Sequence, residues 1–189
     1  MAGRNIVYFD LETQRSLTDV GRAKDKLGMS VGVTYSTGDG EYRIFGEDEV
    51  DALVDQLIKA DLVVGWNHIE FDYPVLQAYT IVDLPSQTVN LDMMLELQDI
   101  LGFRLKLDAA AKGSLGGEGK TADGLDALKW WQQHKKTGDP GPLMKIAEYC
   151  AHDVKATKSV HENALEHGHL RYPDRAGHLQ EVAVDWKPA

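Results

Sequence analysis

Four carboxylates at three well-separated points constrain this chain more than any other feature. They are Asp10 and Glu12 in Val-Tyr-Phe-Asp-Leu-Glu-Thr, Asp72 in Gly-Trp-Asn-His-Ile-Glu-Phe-Asp-Tyr-Pro, and Asp153 in Glu-Tyr-Cys-Ala-His-Asp-Val. Ile6 to Phe9 is a short apolar run that reads as a buried strand leading into the first pair. Side chains alternate across a strand, so Asp10 and Glu12 project from one face. Two like charges that close repel unless a cation lies between them. A donor set made only of oxygens suits Mg²⁺ or Mn²⁺ rather than zinc, which prefers His and Cys. The pattern therefore asks for a fold that gathers these acids into one metal site able to run two-metal phosphodiester chemistry.

Each acid also has a plainer reading. Asp72 precedes Tyr73-Pro74 and could simply open a helix. Asp153 on a helix could be a solvated surface residue, and Asp10 with Glu12 could mark a strand that ends in water. The text around each acid decides between the two. Asp10-Leu11-Glu12 resembles the first motif of the DEDD exonuclease superfamily, the ribonuclease H-like proteins that include ribonuclease D and polymerase proofreading domains. Asn67-His68-Ile69-Glu70-Phe71-Asp72 resembles its second motif, and Tyr149-Cys150-Ala151-His152-Asp153 is similar to the third motif of its tyrosine subgroup. Gly65 to Leu76 and Glu148 to Val154 look most like the proofreading domain of family B DNA polymerases. The motifs stand in family order between residues 10 and 153.

That resemblance implies an α/β ribonuclease H-like domain over residues 1–169, with a mixed five-stranded sheet flanked by helices. It implies a 3′→5′ exonuclease releasing nucleoside 5′-monophosphates from single-stranded ends. Asp10, Glu12, Asp72 and Asp153 would hold two divalent ions, Mg²⁺ or Mn²⁺, with Asp10 shared between them. Asn67 and Phe71 would seat the terminal nucleotide. Tyr149 and Asp153 are four apart on a helix and so point the same way. A tyrosine of ordinary acidity is a poor base at neutral pH, so Tyr149 is assigned to orient the attacking water. His152 neighbours Asp153, but adjacent helical residues do not share a face. The rivals are a ribonuclease H-like endonuclease and a binding module that has kept the fold without catalysis. The partner expected is a nucleic-acid 3′ end, DNA or RNA, with association to replication, repair or RNA-processing machinery.

The organisation fits one α/β unit. Val31 to Tyr35 and Tyr42 to Phe45 read as strands joined through Gly38-Asp39-Gly40 as a hairpin. Apolar residues at helical spacing mark Asp48 to Ala60, Leu62 to Gly65 is a short buried strand, and Tyr73 to Tyr79 a helix. Thr88 to Leu91 is a further strand, and a long last helix opens at Pro142 and carries Leu143, Ile146, Ala147, Cys150 and Val154. The order βββαβαβα is that of a ribonuclease H-like sheet. After His167, residues 170–189 form an extension in which Val182, Val184 and Trp186 alternate, either a short added strand or a tail that docks on a partner.

Three segments invite a functional reading that their context weakens. Gly113 to Thr121 looks like a phosphate-binding loop, but five residues rather than four separate Gly113 from Gly119, and no strand precedes it. Lys120 in that stretch is a candidate for touching substrate phosphate. Trp130-Trp131 could stack a base, though Trp on an amphipathic helix more often packs in the core. Thr13 to Gly28, with Arg15, Arg22, Lys24 and Lys26, is either a basic flap beside the metal site or an ordinary loop.

Composition sets the remaining bounds. At 189 residues and 43% hydrophobic, one domain with a full core is expected. Cys150 is the only cysteine, which fits a reducing cytoplasm, and neither a signal peptide nor a membrane-spanning run is read. The net charge of −10 opposes a phosphate backbone. An acidic centre neutralised by metal escapes part of that objection, and weak, salt-sensitive binding to a short strand end follows.

Overall fold

The computed structural model describes residues 4–116 and 124–186. Its centre is a mixed five-stranded sheet in the order β3-β2-β1-β4-β5. β1 (Ile6–Thr13) pairs antiparallel with β2 (Met29–Ser36), which pairs antiparallel with β3 (Glu41–Phe45). On its other side β1 pairs parallel with β4 (Leu62–Gly65), and β4 with β5 (Asn90–Asp92). The β2–β3 hairpin turns through the expected glycines. Gly40 takes φ +74°, a left-handed value that costs glycine little, and Asp39 accepts the Glu41 amide at 3.2 Å.

β1 runs through Thr13, past the Ile6–Phe9 stretch, because β2 pairs with it all the way to Thr13. β4 is shorter: its pairing with β1 ends at Tyr8↔Val64. Asp10 and Glu12 thus lie beyond the carboxyl end of β4, where a parallel pair in an open sheet leaves a crevice. This difference in strand length creates the site.

The two sheet faces bury separate cores. Val7, Phe9 and Leu11 point to one face and pack with Leu53, Val54 and Leu57 of α1 (Val50–Ile58), and with Val75 and Leu76 of α2 (Asp72–Leu76). Leu84 of the short α3 (Leu84–Gln87) joins this core. Tyr8 points to the opposite face and packs with Ile146, Cys150 and Val154 of α7 (Pro140–His167). The side chains of Asp10 and Glu12 share that face with Tyr8 by the strand's alternation.

The expected helix over 73–79 is shorter, Asp72–Leu76, and the strand expected at 88–91 falls at Asn90–Asp92. The stretch before the last helix holds α4 (Met93–Leu101), α5 (Leu107–Leu115) and α6 (Gly124–Thr137). Trp130 and Trp131 of α6 pack against the α7-side core, so the core reading of that pair holds. α7 is 28 residues long; Asp139 accepts the Gly141 amide at its start, and Gly168 ends it at φ +71°.

Beyond α7 the chain forms a hairpin of β6 (His169–Pro173) and β7 (Leu179–Ala183), paired with each other and not with the main sheet. Leu170, Val182 and Trp186 are buried in the same core as Tyr8. The hairpin sits on α5 through Gly113, where a Cβ would come within 2.2 Å of the Arg171 carbonyl oxygen. Ser114 Oγ donates to that carbonyl at 3.1 Å and accepts the Arg171 amide at 3.0 Å. The glycine that opened the phosphate-loop likeness is therefore a packing glycine inside a helix. No described helix is long and apolar enough to cross a membrane.

Candidate metal centre

α7 crosses the face of β1 that carries Asp10 and Glu12, and brings Asp153 to them. One carboxylate oxygen from each of Asp10, Glu12 and Asp153 lies within 4.8 Å of the others. Asp153 is buried, and Asp10 and Glu12 are half-buried. Three carboxylates that close repel strongly when ionised, and a bound cation relieves the repulsion. The set offers oxygen donors only, as hard divalent cations require, so these residues fit the metal that the sequence implies.

Cys150 completes the wall of the site from α7, one turn before Asp153. Its thiol donates to the Asp10 carbonyl at 3.3 Å and to Asp10 Oδ2 at 3.4 Å. Burial pushes the thiol pKa well above its ordinary value, and the charges of Asp10, Glu12 and Asp153 push it the same way. Cys150 therefore stays protonated and acts as a hydrogen-bond donor that fixes Asp10. Nothing in the sequence marked it, beyond its place between Tyr149 and Asp153. Tyr149 is half-buried against the same core, one turn from Asp153 on the same side of α7. His152 is exposed and lines a surface groove with Tyr42, Glu148 and Lys155 instead.

Asp72 is not one of the three converging carboxylates. It is the first residue of α2. Its Oδ1 accepts the Leu11 amide at 3.1 Å, between Asp10 and Glu12 on β1. That amide points to the side where β4 has already left the sheet, so the carboxylate replaces a missing strand partner. Burial, with the nearby charge of Asp92, pushes the Asp72 pKa up to about 7 against the pull of the Leu11 hydrogen bond.

The turn between β4 and α2 is shaped by Asp92, which the sequence reading missed. Its Oδ1 accepts the Asn67 amide at 2.8 Å and its Oδ2 accepts the Ile69 amide at 3.0 Å. The same carboxylate caps α4 at the Leu95 amide. An Asp directly before a helical run is a recognisable cap signal and could have revealed it. Asn67 sits at φ +69°, a left-handed value that Asn tolerates better than most residues. Its Oδ1 is buried with no hydrogen-bond partner among the described residues. His68 stacks edge-on to Tyr73 and bonds Asn90 at 3.1 Å; burial holds its pKa below the ordinary histidine value. The ring fits because Gly65 has no Cβ, which would lie 2.6 Å from His68 Nδ1. Phe71 is half-buried against the core on the α1 side.

The basic segment after β1 is closed at its base. The Gln14 amide donates to the Gly28 carbonyl at 2.9 Å, and Gln14 Nε2 to the Met29 carbonyl at 2.9 Å. From within it, Lys24 Nζ donates to the Glu70 carbonyl of the second motif. Lys120 lies outside the described residues.

A family model described as the RNase H superfamily matches residues 7–165, from β1 through nearly all of α7. The chain belongs to the RNase H superfamily. As a member of that superfamily it is similar in fold to the family B DNA polymerase from the hyperthermophilic archaeon Pyrobaculum calidifontis. The TM-score is 0.61 at 18% identity, over 86% of this chain and 25% of the polymerase. The chain thus spans about a quarter of the polymerase's length, and at that identity the likeness is one of fold. No curated protein matches the sequence significantly.

Proposed function

We propose that this RNase H superfamily protein is a metal-dependent nuclease, and specifically a 3′→5′ exonuclease of the tyrosine type. The observation that carries the proposal is the convergence of Asp10, Glu12 and Asp153 within 4.8 Å at the end of a parallel strand pair. A pair of Mg²⁺ or Mn²⁺ ions held there would neutralise phosphate charge and make water more acidic. The protein's own part is placement. Asp10 and Glu12 offer oxygens from one strand face, and Asp153 offers them from α7. Asp72 holds the β1 backbone between the first two through one oxygen, and in this reading its other oxygen completes the ligand set from α2. Tyr149 orients the attacking water by a hydrogen bond and need not lose its proton. Asn67 offers its buried carbonyl oxygen, and Phe71 an apolar edge, to the terminal nucleotide.

The tyrosine type is supported by Tyr149 standing one turn from Asp153, while the neighbouring His152 faces an outer groove. The partner is a single-stranded nucleic-acid end, DNA or RNA, and the setting a replication, repair or RNA-processing assembly in the cytoplasm. The deciding experiment incubates the protein with a 5′-labelled single strand and a 3′-labelled one in Mg²⁺, in Mn²⁺ and in chelator. Metal-dependent mononucleotides released from the 3′ end are expected. Internal fragments would mean an endonuclease, and an intact strand a binding module.

A further inference from the structure

Glu70 of the second motif has no part assigned at the metal centre, and two basic side chains from distant segments hold it. Lys24, from the loop after β1, donates to its backbone carbonyl. Arg104, from the segment between α4 and α5, forms an ion pair with its carboxylate. The Arg104 and Glu70 side chains are 51% and 47% exposed, a setting in which an ion pair contributes little and exchanges readily. Beside Arg104 stands Phe103, which is 48% exposed. Its ring meets Tyr172 of β6 edge-on, with centroids 6.1 Å apart. The segment is tied to the second motif by Trp66, whose Nε1 donates to the Leu105 carbonyl at 3.2 Å.

The geometry points to a binding platform for the single strand that feeds the metal centre. Arg104 takes a phosphate, Phe103 stacks a base with Tyr172 bracing its edge, and Glu70 occupies the phosphate position until the strand arrives. This inference rests on the nuclease reading of the preceding subsection. Nucleic acid is the occupant because a cation beside an exposed ring matches the alternation of phosphate and base, which an apolar protein surface does not need. In a chain of net charge −10, the cations gathered on Glu70, two residues from Asp72, are where a polyanion can be held. Lys24 fixes the Glu70 backbone, so releasing Arg104 takes a swing of one side chain. Glu70 also discriminates, because a weakly charged ligand does not displace it.

The test is fluorescence anisotropy of a short 5′-fluorescein oligothymidylate across a salt series. Ca²⁺ serves as the divalent ion, and the probe is checked for intactness afterwards. Arg104→Ala should weaken binding about tenfold and reduce the slope of log affinity against log salt by about 0.7, one single-strand phosphate contact. Phe103→Ala should weaken it about tenfold with the slope unchanged, and Phe103→Tyr should bind like wild type. Glu70→Gln should tighten binding at low salt by about threefold or more. Melting temperatures close to wild type establish that these exposed changes leave the fold intact. A structural role alone would not separate affinity from salt slope. If Arg104→Ala and Phe103→Ala bind as wild type does, or Glu70→Gln binds more weakly, the platform is wrong while nuclease activity stands. A wild-type protein that neither binds the strand nor cuts it in Mg²⁺ or Mn²⁺ overturns the nuclease reading, and the platform with it.

Discussion

The carboxylate of Asp72 accepts the backbone N–H of Leu11 at 3.1 Å, so the second motif grips the first strand between its two acids. This one bond sets where α2 begins relative to Asp10 and Glu12. Burial, working against this bond, makes Asp72 a protonation site in the metal-free protein. Its folded pKa, about 7, is raised above the ordinary 3.8. The protonated form is therefore favoured by folding: its stabilisation is complete below pH 4 and is lost as pH rises through 7, at about 1.4 kcal/mol per unit. In chelator, Asp72→Asn should flatten the fall in urea midpoint between those pH values. At pH 8 it should be at least as stable as wild type, yet it should cut the strand far more slowly. A variant as pH-sensitive as wild type would mean that Asp72 is ionised at neutral pH.

Asp10→Ala removes an acid from the Asp10, Glu12 and Asp153 cluster and relieves repulsion in the metal-free protein. It should melt no lower than wild type in chelator, lose the rise in melting temperature that Mn²⁺ gives wild type, and lower turnover by several orders of magnitude. Full activity in this variant would end the two-metal proposal.

Tyr149→Phe keeps the ring and the metal ligands but loses the hydroxyl. The chemical step should slow by about 10²–10³-fold, as expected for one positioning hydrogen bond. Asp153→Asn should weaken metal binding as well as rate, so excess Mn²⁺ partly rescues it and leaves Tyr149→Phe slow. Single-turnover rates over a Mn²⁺ titration separate the two. A dead His152→Ala beside a normal Tyr149→Phe would instead assign the chemistry to the histidine.

Gly113→Ala would push a methyl group into the Arg171 carbonyl, 2.2 Å from the Cβ position. Backbone on both sides leaves nothing flexible to yield. The hairpin should be displaced at a cost of about 1–3 kcal/mol, read as a lower urea midpoint. Wild-type stability in this variant would show that α5 and β6 can part without loss.

His161 is buried with its Nδ1 on the Tyr8 hydroxyl at 2.9 Å, the Trp186 ring tilted against it, and Glu162 as the charge acting on it. Burial lowers its pKa to about 4, with Glu162 opposing. A depressed folded pKa means stability present above pH 6.5 and lost progressively as pH falls towards 4, up to about 3 kcal/mol. His161→Gln should remove that loss when urea midpoints at pH 7.5 and pH 4.5 are compared. An unchanged pH dependence would place the acid sensitivity elsewhere.

Sequence alone determined what repeats along one element. The alternation of β1 puts Asp10 and Glu12 on one face, and the four-residue spacing of α7 aligns Tyr149 with Asp153. Gly38 to Gly40 close the β2–β3 hairpin, and three motifs in order identify the fold. Periodicity fixes a side chain's direction about its own axis, and these features need nothing more. What lies between elements was decided by packing. β4 stops at Gly65 while β1 continues to Thr13, which opens the crevice and turns Asp72 onto an orphaned amide. Cys150 reaches Asp10 only because α7 crosses β1 at that level, and Asp92 reaches the Asn67 and Ile69 amides only because β5 runs beside β4. Gly113 meets Arg171, and Arg104 meets Glu70, across 58 and 34 residues of chain. No local pattern encodes such distances, because they follow from how side-chain volumes fill the space between layers.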